Sequence, residues 1–164
     1  IHDQNLQVHA ASYLPVDKEL IPTGKIAPVD NTPMDCRQPV SLSDIIDAGG
    51  FDHCFVLEKQ DKQNFSEDIG SNGKNSHPSP SAVLSSPKTG RTMKLFADHP
   101  GIQVYTGNSL NIPGRGGKQY PHHSGICLEP EEFPDCVNQP GFPSCIITPE
   151  QPYRRTTVYQ FLLD

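Results

Sequence analysis

The chain has 164 residues and a formal net charge of −6. This acidic balance argues against a nucleic-acid partner, because such partners usually meet a basic face. No apolar run approaches the roughly 18 residues that a membrane-spanning helix needs, so no membrane partner is predicted. The 17 prolines disfavour long helices, since each removes a backbone donor and clashes with the preceding turn. The composition therefore favours an all-β, loop-rich fold.

Short apolar runs bounded by glycine or proline predict a series of strands. The first run alternates, with Leu6, Val8 and Ala10 on one side of the chain, as expected for a half-buried strand. The later candidate strands are 26–29, 55–57, 82–84, 93–96, 102–105, 125–128, 145–147 and 156–163. Many short strands separated by turns indicate an antiparallel β-sandwich.

Two segments between these strands have a different character. The first is a short helix, for which Ser41 is a suitable N-cap and Leu42, Ile45 and Ile46 supply one apolar face. The second segment, 59–81, is almost entirely polar and has few apolar anchors. Such a composition predicts a long flexible loop within a single domain.

The five cysteines bear on the redox environment. Their number is odd and no C-x-x-C spacing occurs, so a fully paired disulfide framework and a four-cysteine zinc site are both disfavoured. Scattered reduced thiols are expected instead, which suits a cytoplasmic protein. The residues concerned are Cys36, Cys54, Cys127, Cys136 and Cys145.

Three polar residues next to predicted strands are candidates for chemistry. Considered singly, Glu129 suits an exposed strand end, Asp52 suits a turn after two glycines, and Gln103 suits the exposed side of an alternating strand. Spacing alone does not combine two carboxylates and an amide into one site. The adjacent pair His122 and His123 predicts no metal site, because neighbouring strand residues point to opposite faces.

Several short motifs follow one another along the whole chain. They include Tyr13-Leu14-Pro15-Val16-Asp17, Gly50-Phe51-Asp52-His53, Pro100-Gly101-Ile102-Gln103-Val104-Tyr105, His123-Ser124-Gly125-Ile126-Cys127-Leu128-Glu129 and Phe133-Pro134-Asp135. In content and order, this set resembles the C-terminal half of the aldose 1-epimerase, or galactose mutarotase, family. The resemblance implies an all-β, galactose mutarotase-like sandwich, of which residues 1–164 would be the C-terminal part of one domain.

The same resemblance implies an activity and a site. Aldose 1-epimerases interconvert the α and β anomers of aldohexoses such as galactose and glucose by acid/base-catalysed ring opening, in hexose metabolism. Glu129 takes the position of the general base, and Asp52 and Gln103 take the positions of sugar-binding residues. Neither a metal nor an organic cofactor is implied, and the full-length protein is expected to be a monomer.

The chain also departs from the family pattern. Cys54 stands where the family usually has Asn, and Glu131 stands where it usually has Gln. The family's general acid is a histidine in an Asn-His-Ser/Thr-Tyr-Phe-Asn-Leu motif, which these 164 residues do not contain. Because the first residue is Ile1 and not Met, we expect the chain to begin inside such an enzyme, and to be inactive by itself.

Two alternatives stay open at this point. The first is a non-catalytic carbohydrate-binding remnant or splice product of the enzyme. The second is a glycoside hydrolase that uses Asp52 and Glu129 as its carboxylate pair. An upstream histidine motif in the gene would favour the epimerase over the remnant, and release of sugar from a glycoside would indicate the hydrolase.

Overall fold

The computed structural model describes residues 1–58 and 79–163, and most of its regular structure is short β-strands. The strands are β1 (Asn5–Val8), β2 (Ser12–Tyr13), β3 (Ala27–Pro28), β4 (Val40–Ser41), β5 (Asp52–Val56), β6 (Ala82–Ser86), β7 (Arg91–Ala97), β8 (Gly101–Tyr105), β9 (Ile112–Pro113), β10 (Gln119–Tyr120), β11 (Cys127–Glu131) and β12 (Thr157–Leu163). One α-helix, α1 (Leu42–Asp47), and one 3₁₀ turn (Arg115–Gly117) complete the described elements.

These strands form two five-stranded antiparallel sheets. Sheet A has the order β12-β7-β6-β1-β4, and sheet B has the order β11-β8-β5-β2-β3. Strands β9 and β10 form a separate hairpin. The antiparallel β-sandwich that the spacing of short strands predicts is therefore confirmed.

The two sheets share one hydrophobic core. The alternation in β1 has the predicted effect, because Leu6 and Val8 are buried while Asn5 and Gln7 are only half-buried. Strands of both sheets contribute to the same cluster, which includes Leu6, Val8, Phe55, Ala82, Leu95, Ala97, Ile102, Val104 and Leu128. Removing this apolar surface from water is the main force that holds the sheets together, at roughly 25 cal/mol per Å².

The short helix forms where the sequence predicts it. Ser41 is the N-cap, and its hydroxyl oxygen accepts a hydrogen bond from the backbone N–H of Ser43 at 3.1 Å. Leu42 and Ile45 are buried, so the helix is held by its apolar face as well as by its cap. No helix in the described part of the chain has the length and apolar character needed to cross a membrane.

One predicted strand is wrong. Residues 145–147 are apolar and follow a proline-rich stretch, but they pair with no other strand in the structure. Ile146 and Ile147 are 69% and 60% exposed, and Cys145 is bonded to Cys136 instead. The sequence pattern is that of a strand, but among the described residues the segment joins none of the sheets.

The predicted loop 59–81 falls mostly outside the described residues, since 59–78 are not among them. Its last residue belongs to the ordered structure. The backbone N–H of Ser81 donates to Leu95 O at 2.7 Å, and the Ser81 hydroxyl accepts from Ala97 N at 3.2 Å. Ser81 is thus buried and fixed against β7.

The core assignment predicts a contrast between two phenylalanines. Phe55 is 1% exposed and contacts Phe51 edge-on with ring centroids 5.6 Å apart, whereas Phe161 is 74% exposed on the edge strand β12. Phe55→Ala should lower the free energy of unfolding by about 3–5 kcal/mol because it leaves a cavity. Phe161→Ala, the matched control, should change it by no more than about 0.5 kcal/mol. Chemical denaturation would measure both, and equal losses would contradict the assignment of Phe55 to the core.

Candidate functional site

The outer face of sheet B brings the predicted site residues together. In the inner strand β8, Gln103 pairs with Cys54 of β5 on one side and with Glu129 of β11 on the other. Directly paired residues of adjacent strands project to the same face. The residues on either side of Gln103 along β8, Ile102 and Val104, project to the opposite face and are fully buried in the core.

Asp52 joins this set through a direct hydrogen bond. The Gln103 side-chain Nε2 donates to Asp52 Oδ1 at 2.7 Å. Asp52 lies two positions from Cys54 along β5, so it projects to the same face of the sheet. The bond fixes which end of the Gln103 amide faces Asp52 and leaves its carbonyl oxygen free to accept.

A buried polar network holds Asp52 in position. The backbone N–H of Phe51 donates to Thr106 Oγ1 at 2.7 Å, and Asn108 Nδ2 donates to Phe51 O at 3.2 Å. The Thr106 hydroxyl also donates to Asn108 Oδ1 at 2.7 Å. Gly50, which lies just before β5, has a φ of +74°, and a Cβ atom there would collide with Asn108. Glycine is therefore required at this position.

The outer face of sheet B forms the floor of a pocket of about 370 Å³, within the size range of small-molecule sites. All three predicted residues line it. The lining consists of Leu14, Val16, Leu20, Pro22, Asp52, Cys54, Gln103, Tyr105, Glu129, Glu131 and Pro134. Polar side chains on the sheet therefore face an apolar wall from the 14–22 segment.

The position of Glu129 differs from the sequence prediction. The apolar run predicts a strand at 125–128 with Glu129 just after it, but β11 runs from Cys127 to Glu131 and contains Glu129. Pro130 is tolerated because β11 is an edge strand, where a missing backbone donor can face away from the sheet. Glu129 is exposed, as the sequence suggests for a residue at a strand end.

Glu131 is a pocket residue that the sequence marks only as a departure from the family pattern, with no role assigned. It lies two positions after Glu129 on β11 and therefore on the same face. Burial, followed by the negative charge of Glu129, raises the pKa of the Glu131 carboxyl group to about 7. Tyr105, two positions after Gln103, was missed in the same way. The period-two spacing from Glu129 and Gln103 is the signal that would have identified both residues.

Cys54 lies beneath Glu131 at the floor of the pocket. It is 2% exposed, and burial, followed by the charge of Glu131, raises its thiol pKa to about 12. Gly101 pairs with Glu131, and a Cβ atom at Gly101 would approach Cys54 Sγ to 2.6 Å and Phe133 to 3.2 Å. The floor of the pocket is therefore tightly packed, and the Cys54 thiol is protonated at neutral pH.

The sequence predicts that all five cysteines are reduced, and this prediction is wrong for two of them. Cys136 and Cys145 form a disulfide, while Cys36, Cys54 and Cys127 are free. Cys136 packs against a second apolar cluster, formed by Leu14, Cys54, Phe133 and Phe142. An odd number of cysteines excludes complete pairing but not a single bridge, which depends on tertiary proximity. The bridge closes a loop whose Phe142 belongs to the same apolar cluster as Leu14 and Cys54, two residues of the pocket lining.

The paired histidines have structural partners. His122 Nδ1 lies 2.8 Å from Asn108 O, and His123 Nδ1 lies 2.8 Å from Thr106 O. Within residues 1–58 and 79–163, no group of three or more His, Cys, Asp or Glu side chains is arranged to hold a metal ion. Both histidines fasten the 121–124 turn to the end of β8.

The raised pKa of Glu131 predicts a pH-dependent stability. A carboxyl group with a folded-state pKa near 7 contributes stability fully below its unfolded value of 4.5, and loses it as the pH rises through about 7. Glu131→Gln cannot ionise, so it should raise the melting temperature at about pH 8 and change it little at about pH 4. Glu150→Gln, at an exposed position, is the control. A Glu131→Gln effect that is the same at both pH values would contradict the shift.

Comparisons with known proteins agree on one family. The family model for aldose 1-epimerase matches residues 1–160. The galactose mutarotases of Rattus norvegicus and Homo sapiens are each 39% identical to this chain, over 98% of it and 44% of their own length. The aldose 1-epimerase of Haemophilus influenzae is 31% identical over 85% of this chain and 38% of its own length.

Two solved structures show the same fold. The galactose 1-epimerase from Lactobacillus acidophilus NCFM has a TM-score of 0.70 at 25% identity, over 99% of this chain and 44% of that one. A GalM/aldose epimerase homologue from C. elegans has a TM-score of 0.82 at 24% identity, over 99% and 46%. The chain thus spans less than half the length of the relatives that it matches. By sequence, and with a fold that agrees, the chain belongs to the aldose 1-epimerase family.

Proposed function

We propose that the protein carrying this chain is an aldose 1-epimerase that interconverts the α and β anomers of aldohexoses such as galactose and glucose. The observation that supports this most directly is the convergence of Asp52, Gln103 and Glu129 on one pocket. The resemblance assigns roles to these same three residues, which are distant in sequence and lie on three different strands.

The reaction moves two protons. One leaves the anomeric hydroxyl group while another reaches the ring oxygen, and the bond between C1 and the ring oxygen breaks. The open-chain aldehyde then rotates about its C1–C2 bond and closes to the other anomer. Glu129 is proposed as the base that takes the first proton, because its carboxylate opens onto the pocket and can reach a hydroxyl group there.

Asp52 and Gln103 are proposed to hold the sugar. An ionised carboxylate accepts strong hydrogen bonds from hydroxyl groups, and an amide can donate and accept at once. The bond from Gln103 Nε2 to Asp52 Oδ1 orients both groups before a ligand arrives. Such preorganisation lowers the entropy cost of binding.

The cellular location, the metabolic role and the oligomeric state of the enzyme are also proposals. We place the enzyme in the cytoplasm, in carbohydrate metabolism, and as a monomer when full length. The three free cysteines support the cytoplasmic location, whereas the Cys136–Cys145 disulfide argues against it.

Sugar binding without catalysis is the second candidate function. It needs only groups that can hold a sugar, and the hydrogen-bonded pair of Asp52 and Gln103 in the pocket supplies them. Polarimetry of the complete gene product separates the two functions. Sugar binding without any anomer interconversion would support the binding role.

Replacing the proposed base should abolish most of the activity. In the complete gene product, Glu129→Gln keeps the shape of the side chain but cannot take a proton. We expect kcat for mutarotation, followed by polarimetry, to fall roughly 10²–10⁴-fold. Glu150→Gln, an exposed glutamate, serves as the control and should leave kcat unchanged. A Glu129→Gln enzyme with near-normal kcat would remove Glu129 from the base position.

The two proposed sugar ligands should affect affinity. Asp52→Asn and Gln103→Ala should each weaken galactose binding by roughly 1–3 kcal/mol, because a buried sugar hydroxyl loses its partner. Isothermal titration calorimetry would measure the change. The exposed residues Asp47 and Gln119 offer matched controls, as Asp47→Asn and Gln119→Ala. Unchanged affinity in both site variants would place Asp52 and Gln103 outside the sugar site.

A further inference from the structure

One disulfide closes a loop that has no regular structure of its own. Residues 132–156, all within the described part of the chain, form neither a helix nor one of the named strands. The bridge joins Cys136 to Cys145, nine positions later in this segment. The conformation of the loop therefore depends on the bridge and on side-chain contacts, and not on a ladder of strand hydrogen bonds.

The first contact between the bridged loop and the pocket is apolar. Phe142, inside the bridged loop, is buried and meets Phe133 edge-on with ring centroids 5.2 Å apart. The same cluster contains Leu14 and Cys54, which both line the pocket. Cys136 itself packs against this cluster. The bridged loop is thus packed against residues of the pocket lining.

The second contact is polar and reaches the other end of the 14–22 wall. Gln139 Nε2 donates to Pro22 O at 3.3 Å and to Asp135 Oδ2 at 2.8 Å. The backbone N–H of Phe142 donates to Gln139 O at 2.9 Å, so the two residues that contact the wall also hold each other. Leu14 and Pro22 both belong to the pocket lining. Side chains of the bridged loop therefore fix the wall at both of its ends.

The bridge lies near the protein surface. Cys136 and Cys145 are half-buried, and the residues that follow them, Val137 and Ile146, are each 69% exposed. A bridge in such a position can be attacked by a thiol reagent. In reducing compartments, protein disulfides are usually transient or redox-sensing and not permanent. The location of this bridge suits such a reversible role.

We propose that the Cys136–Cys145 bridge is a redox switch that holds the 14–22 wall in place and thereby sets the affinity of the pocket for sugar. This inference rests on the proposed function, because it takes the pocket as the sugar site. To open the bridge, one thiolate of a dithiol reductant attacks a bridge sulfur, and its second thiolate then resolves the mixed disulfide. The reductant loses two electrons and two protons and becomes a disulfide, while Cys136 and Cys145 gain them and become thiols.

Reduction should affect binding and not the chemistry. Once the bridge is open, the loop no longer holds Gln139 and Phe142 in place, so the wall must become ordered when a sugar binds. Asp52, Gln103 and Glu129 lie on strands that are paired with one another, so their positions do not depend on the bridge. The switch therefore acts on KM and on the dissociation constant, and it leaves kcat nearly unchanged.

Calorimetric titration of the complete gene product with galactose tests this proposal. The oxidised protein should bind galactose about tenfold more tightly than protein reduced with dithiothreitol, because ordering of the wall then weakens binding. Mass spectrometry after alkylation would verify that Cys136 and Cys145 are bridged in the first sample and free in the second. Replacing both cysteines by serine should reproduce the affinity of the reduced protein, and dithiothreitol should then have no further effect.

Hydrogen exchange and one further variant test the route from the bridge to the wall. Reduction should speed amide exchange at Phe142 and Thr23, which donate to Gln139 O and Pro15 O, while the amides of β8 keep their protection. Gln139→Ala keeps the bridge but removes the bond to Pro22, so it should lessen the effect of dithiothreitol on galactose affinity. Gln119→Ala, at an exposed position, is the matched control and should leave that effect unchanged.

Four results would overturn the redox switch. Equal galactose affinity in the two verified redox states would do so while leaving the proposed function intact, and so would cysteines that stay unbridged in oxidised protein. Loss of protection in β8 on reduction would also contradict it, because the bridge would then support the whole domain and not the wall. The fourth result is an oxidised protein that does not bind galactose, which removes the proposed sugar site as well.

Discussion

The pairing of β8 between β5 and β11 is the constraint on which the site depends. It sets Gln103 directly between Cys54 and Glu129, and it sets Asp52 one pleat further along, within 2.7 Å of the Gln103 amide. Because side chains alternate across a sheet, a slip of one residue in either pairing would turn the polar set into the core. The buried residues Ile102 and Val104 oppose any such slip, since their exposure to water would cost apolar burial.

A second group of contacts ties sheet A to the edge of the site. Arg155, just before β12, donates through Nε to Glu132 Oε1 at 2.7 Å and through Nη1 to Asp98 O at 3.3 Å. The Asp98 carboxylate in turn accepts from Thr156 N at 2.8 Å. Glu132 follows Glu131, so this partly buried ion pair fixes the end of β11. The stability of the last strand and the geometry of the pocket are therefore linked.

The pocket combines groups that a stable core would separate. Two glutamates lie on one face of an edge strand, above a buried thiol and a well-packed cluster that contains Phe133 and Phe142. Burying the Glu131 carboxyl group costs free energy, the negative charge of Glu129 adds to that cost, and the result is a raised carboxyl pKa. Such arrangements are common at functional sites, where a perturbed carboxyl group can hold a proton near neutral pH.

The sequence by itself determined those features that depend on local pattern. Short apolar runs bounded by glycine or proline predicted most of the strands, a capping serine predicted α1, and ordered motifs marked Asp52, Gln103 and Glu129 as candidates. The tertiary structure decided what depends on distant partners: the shift of β11 to include Glu129, the Cys136–Cys145 bridge, and the exposure of Ile146 and Ile147. It also decided the environment of Glu131, since burial and a neighbouring charge, and not residue type, set the pKa of a carboxyl group.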